Sequence, residues 1–192
     1  SREGTVVDAD ELIKEMNKKA KTISESLGKV NDLPSSDQSK LHKNIALGAL
    51  KYHILKVDPK KRILFDPNES IDFNGNTGPF IQYTYARIQS LLRKNTNKKS
   101  FSDVKFSDKE RSIIIHLNDF PNVLFNAYSN LNPALVANYV YDLVKLYNSF
   151  YQSSTVIGND EINSFRILLS RNVGDYIKKS MSLLGIDVPN RM

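Results

Sequence analysis

LNPALVANYVYDLVKLYNSFY, residues Leu131–Tyr151, carries Leu135, Tyr139, Leu143, Leu146 and Phe150 at successive steps of four, four, three and four. Side chains at that spacing share one face only in an α-helix. Asn132-Pro133 opens the helix, because a proline in the first turn gives up an N–H that has no helical partner there. C-terminal to it, Ile162, Phe165, Leu169, Val173 and Tyr176 form a second stripe, predicting a helix from about Asp160 to Leu184 that Gly185 and then Pro189 stop. N-terminal to it, short helices are expected over Pro121–Asn130 and Ser107–Leu117. A basic polar linker, Arg93–Lys99, precedes them. A further helix begins with Pro79 in its first turn and carries Phe80, Ile81, Tyr85, Ile88, Leu91 and Leu92.

The first part of the chain is less regular. Leu12, Met16, Ile23 and Leu27 predict a half-exposed helix from Asp8 to about Leu27, with Asp8 or Asp10 as N-cap and Gly28 as stop. Asn31–Ser36 reads as a loop. Ser36 or Asp37 then caps a second helix, with Leu41, Ile45, Leu47, Ala49 and Leu55, that ends before Pro59. Lys60–Asp72 has room for one short extended stretch and none for a sheet domain. The fold class expected is all-α: an antiparallel helix bundle over 76–192, preceded by a small, mostly helical connector over 1–75.

Composition narrows the function. The 192 residues are 40% hydrophobic and 25% charged, with 8 Gly and 7 Pro, which excludes collagen-like and wholly disordered chains. No apolar run approaches a membrane span, and Ser1-Arg2-Glu3-Gly4-Thr5 lacks a signal-peptide core, so a soluble, unsecreted protein is expected. A chain opening on Ser1 suggests a fragment or a processed product. With no Cys there is no disulfide, thiolate metal site or cysteine nucleophile, which suits a reducing compartment. The net charge of +6, from 27 basic and 21 acidic residues, suits a polyanionic partner without specifying one.

Few residues carry catalytic signals. His42 and His53 are eleven apart, about 16 Å along a helix, too far to ligate one metal, and His116 lies beside Leu117; all three read as structural or surface residues. No metal site is expected. There is no GxSxG, P-loop or GxGxxG. Gly75 and Gly78 precede a helix N-terminus, where an anion site and a plain turn fit equally well. The aromatic residues say more. Tyr83 and Arg87 are four apart and off the face of Ile81, Tyr85 and Ile88, and Tyr147 and Tyr151 are also four apart. Such pairs offer a stacking plane beside a cation or hydroxyl for unpaired RNA bases, or else merely broaden a core face. Arg93, Lys94, Lys98, Lys99 and Lys105 are a solvated linker or, near Arg87, a track for phosphates.

Four strings resemble arginyl-tRNA synthetases. KVDPKKRILFDPNESIDFNGNTGPFIQYTYARIQSLLRK (Lys56–Lys94) resembles the junction of catalytic core and anticodon-binding domain, and Leu131–Tyr151 is similar to a later part of that domain. LLGIDVPNRM (Leu183–Met192) resembles the family's Pro-Glu-Arg-Met-like tail, with Asn190 in place of Glu. The opening SREGTVVDADEL is similar to the stretch completing the KMSKS-type loop, with Ser1 and Arg2 at its last positions.

The resemblance implies the C-terminal part of a class I enzyme that joins arginine to tRNA(Arg) with ATP and Mg2+. It implies a cytoplasmic protein, monomeric as the full enzyme, for which DNA is not the expected partner. Residues 1–75 would be the end of the catalytic domain and a stem-contact connector, and 76–192 a DALR-type anticodon-binding bundle. The HIGH motif would lie before Ser1, so the chain alone, without cofactor, is expected to be inert. All arginine anticodons have C at the centre. The resemblance places the anticodon loop against Tyr83 and Tyr151, with Met192 close by. Tyr147 and Arg87 join them by spacing, with Arg93, Lys94, Lys98 and Lys99 as phosphate contacts. Thr155 falls where some relatives have an aromatic. The alternative is a helical protein-interaction module derived from such a domain; binding of an anticodon hairpin that depends on salt and on the middle C separates the two.

Overall fold

The computed structural model describes residues 8–26, 34–95 and 100–192. Ser1, Arg2, Gly28, Lys98 and Lys99 lie outside the described residues. Eight helices follow in order among the described residues: α1 (Ala9–Ser26), α2 (Ser35–Leu55), α3 (Pro67–Ser70), α4 (Gly78–Lys94), α5 (Asp108–Asn118), α6 (Phe120–Ser129), α7 (Ala134–Ser153) and α8 (Glu161–Leu183). They contain no strand. The described residues are all-helical, as the periodicities imply.

Two apolar clusters organise the packing. The smaller joins Met16 and Ala20 of α1 to Leu41, Ile45, Ala46 and Ala49 of α2 and to Ile71. The larger is centred on α7, whose Val140, Leu143, Val144 and Phe150 have no exposed surface, and draws in Ile81 and Ile88 of α4, Ile113 of α5, and Val173, Ile177 and Met181 of α8. Helix α2 belongs to both, because Tyr52 is buried in the larger cluster and its hydroxyl lies 2.9 Å from the Ala137 carbonyl and 2.6 Å from Asn76 Oδ1. One phenolic proton serves either acceptor. Contact between α2 and α4 requires glycine: a Cβ on Gly78 would stand 2.7 Å from the carbonyl carbon of Gly48.

Helix ends follow local chemistry. Asp8 Oδ1 accepts from the Asp10 N–H at 2.7 Å, and Thr77 Oγ1 accepts from the Phe80 N–H at 3.3 Å, ahead of Pro79. Ser107 and Glu110 form a reciprocal capping box on α5. Helices α6 and α8 end in the same six-residue hydrogen-bond pattern. At α8 it closes through Gly185 (φ 67°), with Ile186 N–H donating to Met181 O at 2.9 Å. At α6 it closes through Leu131 (φ 49°), with Asn132 N–H donating to Ala127 O at 2.9 Å.

Several expectations are corrected. The 60–72 segment holds no strand and instead makes the single turn α3, because Asp66 caps it, accepting from Asn68 N–H at 2.7 Å, and Pro67 opens it. Helix α2 starts one residue before Ser36, after Pro34 and with no side-chain cap bond. Leu135 is 37% exposed, since the buried face of α7 runs instead through Val136, Tyr139, Val140, Leu143, Val144 and Tyr147.

Candidate nucleic-acid interface

Helix α4 buries Ile81, Tyr85 and Ile88, which leaves Tyr83 and Arg87 half-exposed at the seam with α7. Across that seam, Asn148 and Tyr151 lie on the last turns of α7, also half-exposed. The Arg87 guanidinium carbon stands 4.9 Å from the centroid of the Tyr83 ring and 5.6 Å from that of Tyr151. A cation between two tyrosine faces is attracted by both ring quadrupoles. Arg87 Nη1 also donates to Asn148 Oδ1 at 2.9 Å. Phe73 meets the Tyr83 ring edge to face at 6.3 Å. Tyr83 and Arg87, paired by their spacing in the sequence, and Tyr151 from the other pair thus form one cluster.

Tyr147 does not belong to that surface. It has no exposed area, its hydroxyl is 3.1 Å from Ser170 Oγ, and burial pushes its phenol up to about 12 against the lowering effect of that hydrogen bond. A ring enclosed between α7 and α8 has no face for a base, so Tyr147 is a core residue. Met192 is half-buried and packs against the smaller apolar cluster together with Phe73. The tail that carries it runs beside α2 and α4. Gln82 Nε2 donates to Asp187 O at 2.8 Å, Tyr85 OH to Asn190 Oδ1 at 3.3 Å, and Arg93 Nη1 to Asn190 O at 3.2 Å. Arg93 therefore holds the tail as well as presenting charge. Lys94 is exposed at the end of α4. Thr155 is exposed, and its carbonyl accepts from Asn163 Nδ2 at 2.8 Å and Arg166 Nη1 at 3.0 Å, which fixes the chain just beyond Tyr151.

The histidines serve packing. His53 and His42 are buried; His53 Nε2 is 3.1 Å from Leu64 O, and His116 stacks on Tyr139 at 4.3 Å. Burial lowers the pKa of His42. Among the described residues no group of three or more His, Cys, Asp or Glu is placed to hold a metal ion. No helix of the described residues is long and apolar enough to cross a membrane. Residues that sequence reasoning missed are Asn148 and Thr84, polar side chains on otherwise apolar helices, and Phe73.

The family model described as the DALR anticodon binding domain matches residues 81–192, the span that holds this cluster. The chain belongs to that family. This DALR-domain chain is 54% identical over 195 residues to an arginine–tRNA ligase of Flavobacterium psychrophilum, a match covering 100% of this chain and 32% of the relative. Among solved structures, the arginyl-tRNA synthetase of Thermus thermophilus superposes with a TM-score of 0.89 at 28% identity, over 97% of this chain and 32% of that one. The Plasmodium falciparum enzyme gives 0.83 at 27% identity, over 97% and 34%. The chain spans about a third of the length of the curated relatives it matches.

Proposed function

We propose that the chain is the tRNA-reading part of an arginine–tRNA ligase and that Tyr83, Arg87 and Tyr151 take splayed bases of the anticodon loop of tRNA(Arg). The observation that carries this reading is the guanidinium held between two half-exposed tyrosine rings inside the DALR-matched span. Single-stranded bases bind by stacking on aromatic faces beside cations. Met192 lines the neighbouring surface, while Arg93, Lys94, Lys98 and Lys99 supply phosphate contacts. In this reading residues 76–192 are the anticodon-binding bundle, and 1–75 the end of the catalytic domain and the stem-contact connector.

Joining arginine to tRNA with ATP and Mg2+, in the cytoplasm and as a monomer, belongs in this reading to the whole enzyme. ATP and Mg2+ belong in this reading to the catalytic part, and the described residues contribute the tRNA-reading surface. No chemical step is assigned to them, and the chain alone should leave arginine, ATP and tRNA unreacted. RNA rather than DNA is the partner in this reading, following the arginine–tRNA ligases that the chain is similar to.

Titration of the chain against arginine anticodon hairpins differing only at the middle base tests the proposal. Binding should fall steeply with salt and favour the central C. Salt-dependent binding indifferent to that base would leave only polyanion attraction, and no binding would favour a protein-interaction module.

A further inference from the structure

Arg87 is useful to a ligand only if its guanidinium is held still, and the tyrosine faces alone leave it free to slide and rotate. Its anchor comes from the neighbouring helix. Asn148 Oδ1 accepts from Arg87 Nη1 at 2.9 Å, Asn148 Nδ2 donates to Thr84 Oγ1 at 3.1 Å, and the Thr84 hydroxyl donates to the Phe80 carbonyl at 3.0 Å. Each link sets the direction of the next. The one hydroxyl proton of Thr84 is engaged with Phe80, so its oxygen must accept, and the amide nitrogen of Asn148 is the donor facing it. The carbonyl oxygen of Asn148 is thereby turned to Arg87. The flipped amide would oppose NH2 to a guanidinium N–H and leave an oxygen facing an oxygen with no proton to give.

Thr84 is buried and belongs to the same helix as Arg87. The relay therefore runs from the α4 backbone through α7 and back to an α4 side chain. Guanidinium is a planar fork of five N–H donors. Among the described residues, Asn148 is the acceptor that it meets, and the rest of the fork is left for an oxygen or nitrogen acceptor brought by a ligand.

We propose that Asn148 is a positioning residue of the anticodon site, acting through Arg87: it orients the fork between Tyr83 and Tyr151 so that it meets acceptor atoms of the RNA loop. This rests on the tRNA reading above. The acceptors are either a base edge or a phosphate, and the two differ in outcome, since a base edge makes the effect depend on the middle base and a phosphate does not.

The experiment uses the whole 192-residue chain. Asn148→Ala, Arg87→Ala and the double variant are titrated against the arginine anticodon hairpin and its middle-base variants at several salt concentrations, with melting followed so that affinities refer to folded protein. Asn148→Ala should weaken binding about tenfold, the scale of one hydrogen bond to a charged group. Its salt slope should match the parent's, because Arg87 keeps its charge. In the Arg87→Ala background the same change should have little further effect.

A second readout needs no RNA: NMR of the free protein should show restricted rotation of the Arg87 guanidinium, released in Asn148→Ala and restored in Asn148→Asp, which keeps an acceptor in place. Equal weakening by Asn148→Ala with and without Arg87, or Arg87 motion unchanged by it, overturns the proposal. If the parent chain binds no hairpin, the tRNA reading fails and the role on RNA with it, while the NMR measurement judges the anchorage by itself.

Discussion

Tyr147 and Tyr151 occupy one helix four residues apart, their rings 6.0 Å from each other, and they should fail in opposite ways when truncated. Tyr147 is fully enclosed, packed against Phe150 at 5.9 Å and bonded to Ser170. Tyr147→Ala removes an entire buried aromatic ring and leaves a cavity, for which about 3–5 kcal/mol is the usual loss. At about 2–4 °C per kcal/mol for a protein of this size, the melting point should drop by roughly 6–20 °C. Tyr147→Phe keeps the packing and costs about 1 kcal/mol, the net worth of the Ser170 hydrogen bond. Tyr151 is half-exposed, and its loss in the free protein is partial packing against the larger cluster and one face of the Arg87 contact, about 0.5–1 kcal/mol for an exposed cation–π pair. Its larger loss should appear only with RNA: one base–aromatic stack is worth about 1–3 kcal/mol, or roughly 5- to 150-fold in Kd for the hairpin. Parallel thermal melts and fluorescence titrations of the three variants check this. A Tyr151→Ala protein that melts as low as Tyr147→Ala yet binds the hairpin undiminished when folded would make Tyr151 a core residue and refute the site.

Glu110 has no exposed surface; burial by itself would raise its pKa, but the Ser107 N–H and Arg166 Nε, each at 2.7 Å, outweigh that and hold it below the ordinary carboxylate value. A lowered folded pKa means stability that is complete above the ordinary value of about 4.5 and is lost as pH falls through the lower folded one; acid melts should therefore fall more steeply below about pH 4.5 for the parent than for Glu110→Gln, which should already be about 1.5–3 kcal/mol less stable at pH 7 because Arg166 loses its carboxylate partner. Gly78→Ala should cost about 1–3 kcal/mol in chemical denaturation, because the atoms that its methyl meets are the backbone of Gly48 and cannot move aside without separating α2 from α4. Leu131→Gly should stabilise by about 0.5–1 kcal/mol and raise the melting point by roughly 1–4 °C, since Leu131 is 80% exposed and holds φ 49° where glycine stands in the same motif at the end of α8.

What could be read from the sequence was whatever its own neighbours determine. Pro79 behind Thr77, the Ser107–Glu110 box and Gly185 mark helix ends by local hydrogen bonding, and each stands at an end in the structure. The α3 turn was hidden because a single turn has no periodicity, although Asp66-Pro67 carried its cap. Tyr147 misled for a geometric reason. Residues four apart on a helix differ by about 40° around the axis, enough for α8 to close over Tyr147 and leave Tyr151 at the edge. Leu131 gives no sign of its left-handed backbone, since nothing in its side chain asks for it. The Asn148 anchor needs the register of α4 against α7, which depends on packing of both helices with α8.

The same dependence explains why the cluster sits where it does. The C-terminal turn of α7 is tied down from outside: Lys109 Nζ donates to Ser149 O at 3.1 Å and to Ser153 Oγ at 2.8 Å, while Asn163 and Arg166 hold the Thr155 carbonyl. Arg166 is itself fixed by buried Glu110 in the first turn of α5. On the other side, Thr84 and Phe80 tie the anchor to α4. Both tyrosines are thus carried on helix segments whose backbone is ordered by folding, so the entropy of placing the rings is lost once, in the fold, and not again when a base arrives. A substitution at Glu110 or Arg166 would loosen the platform under Tyr151 without touching any group that stacks, whereas one at Asn148 would free Arg87 and leave the platform rigid. The two supports act on different members of one site, one on a ring and the other on the cation between the rings.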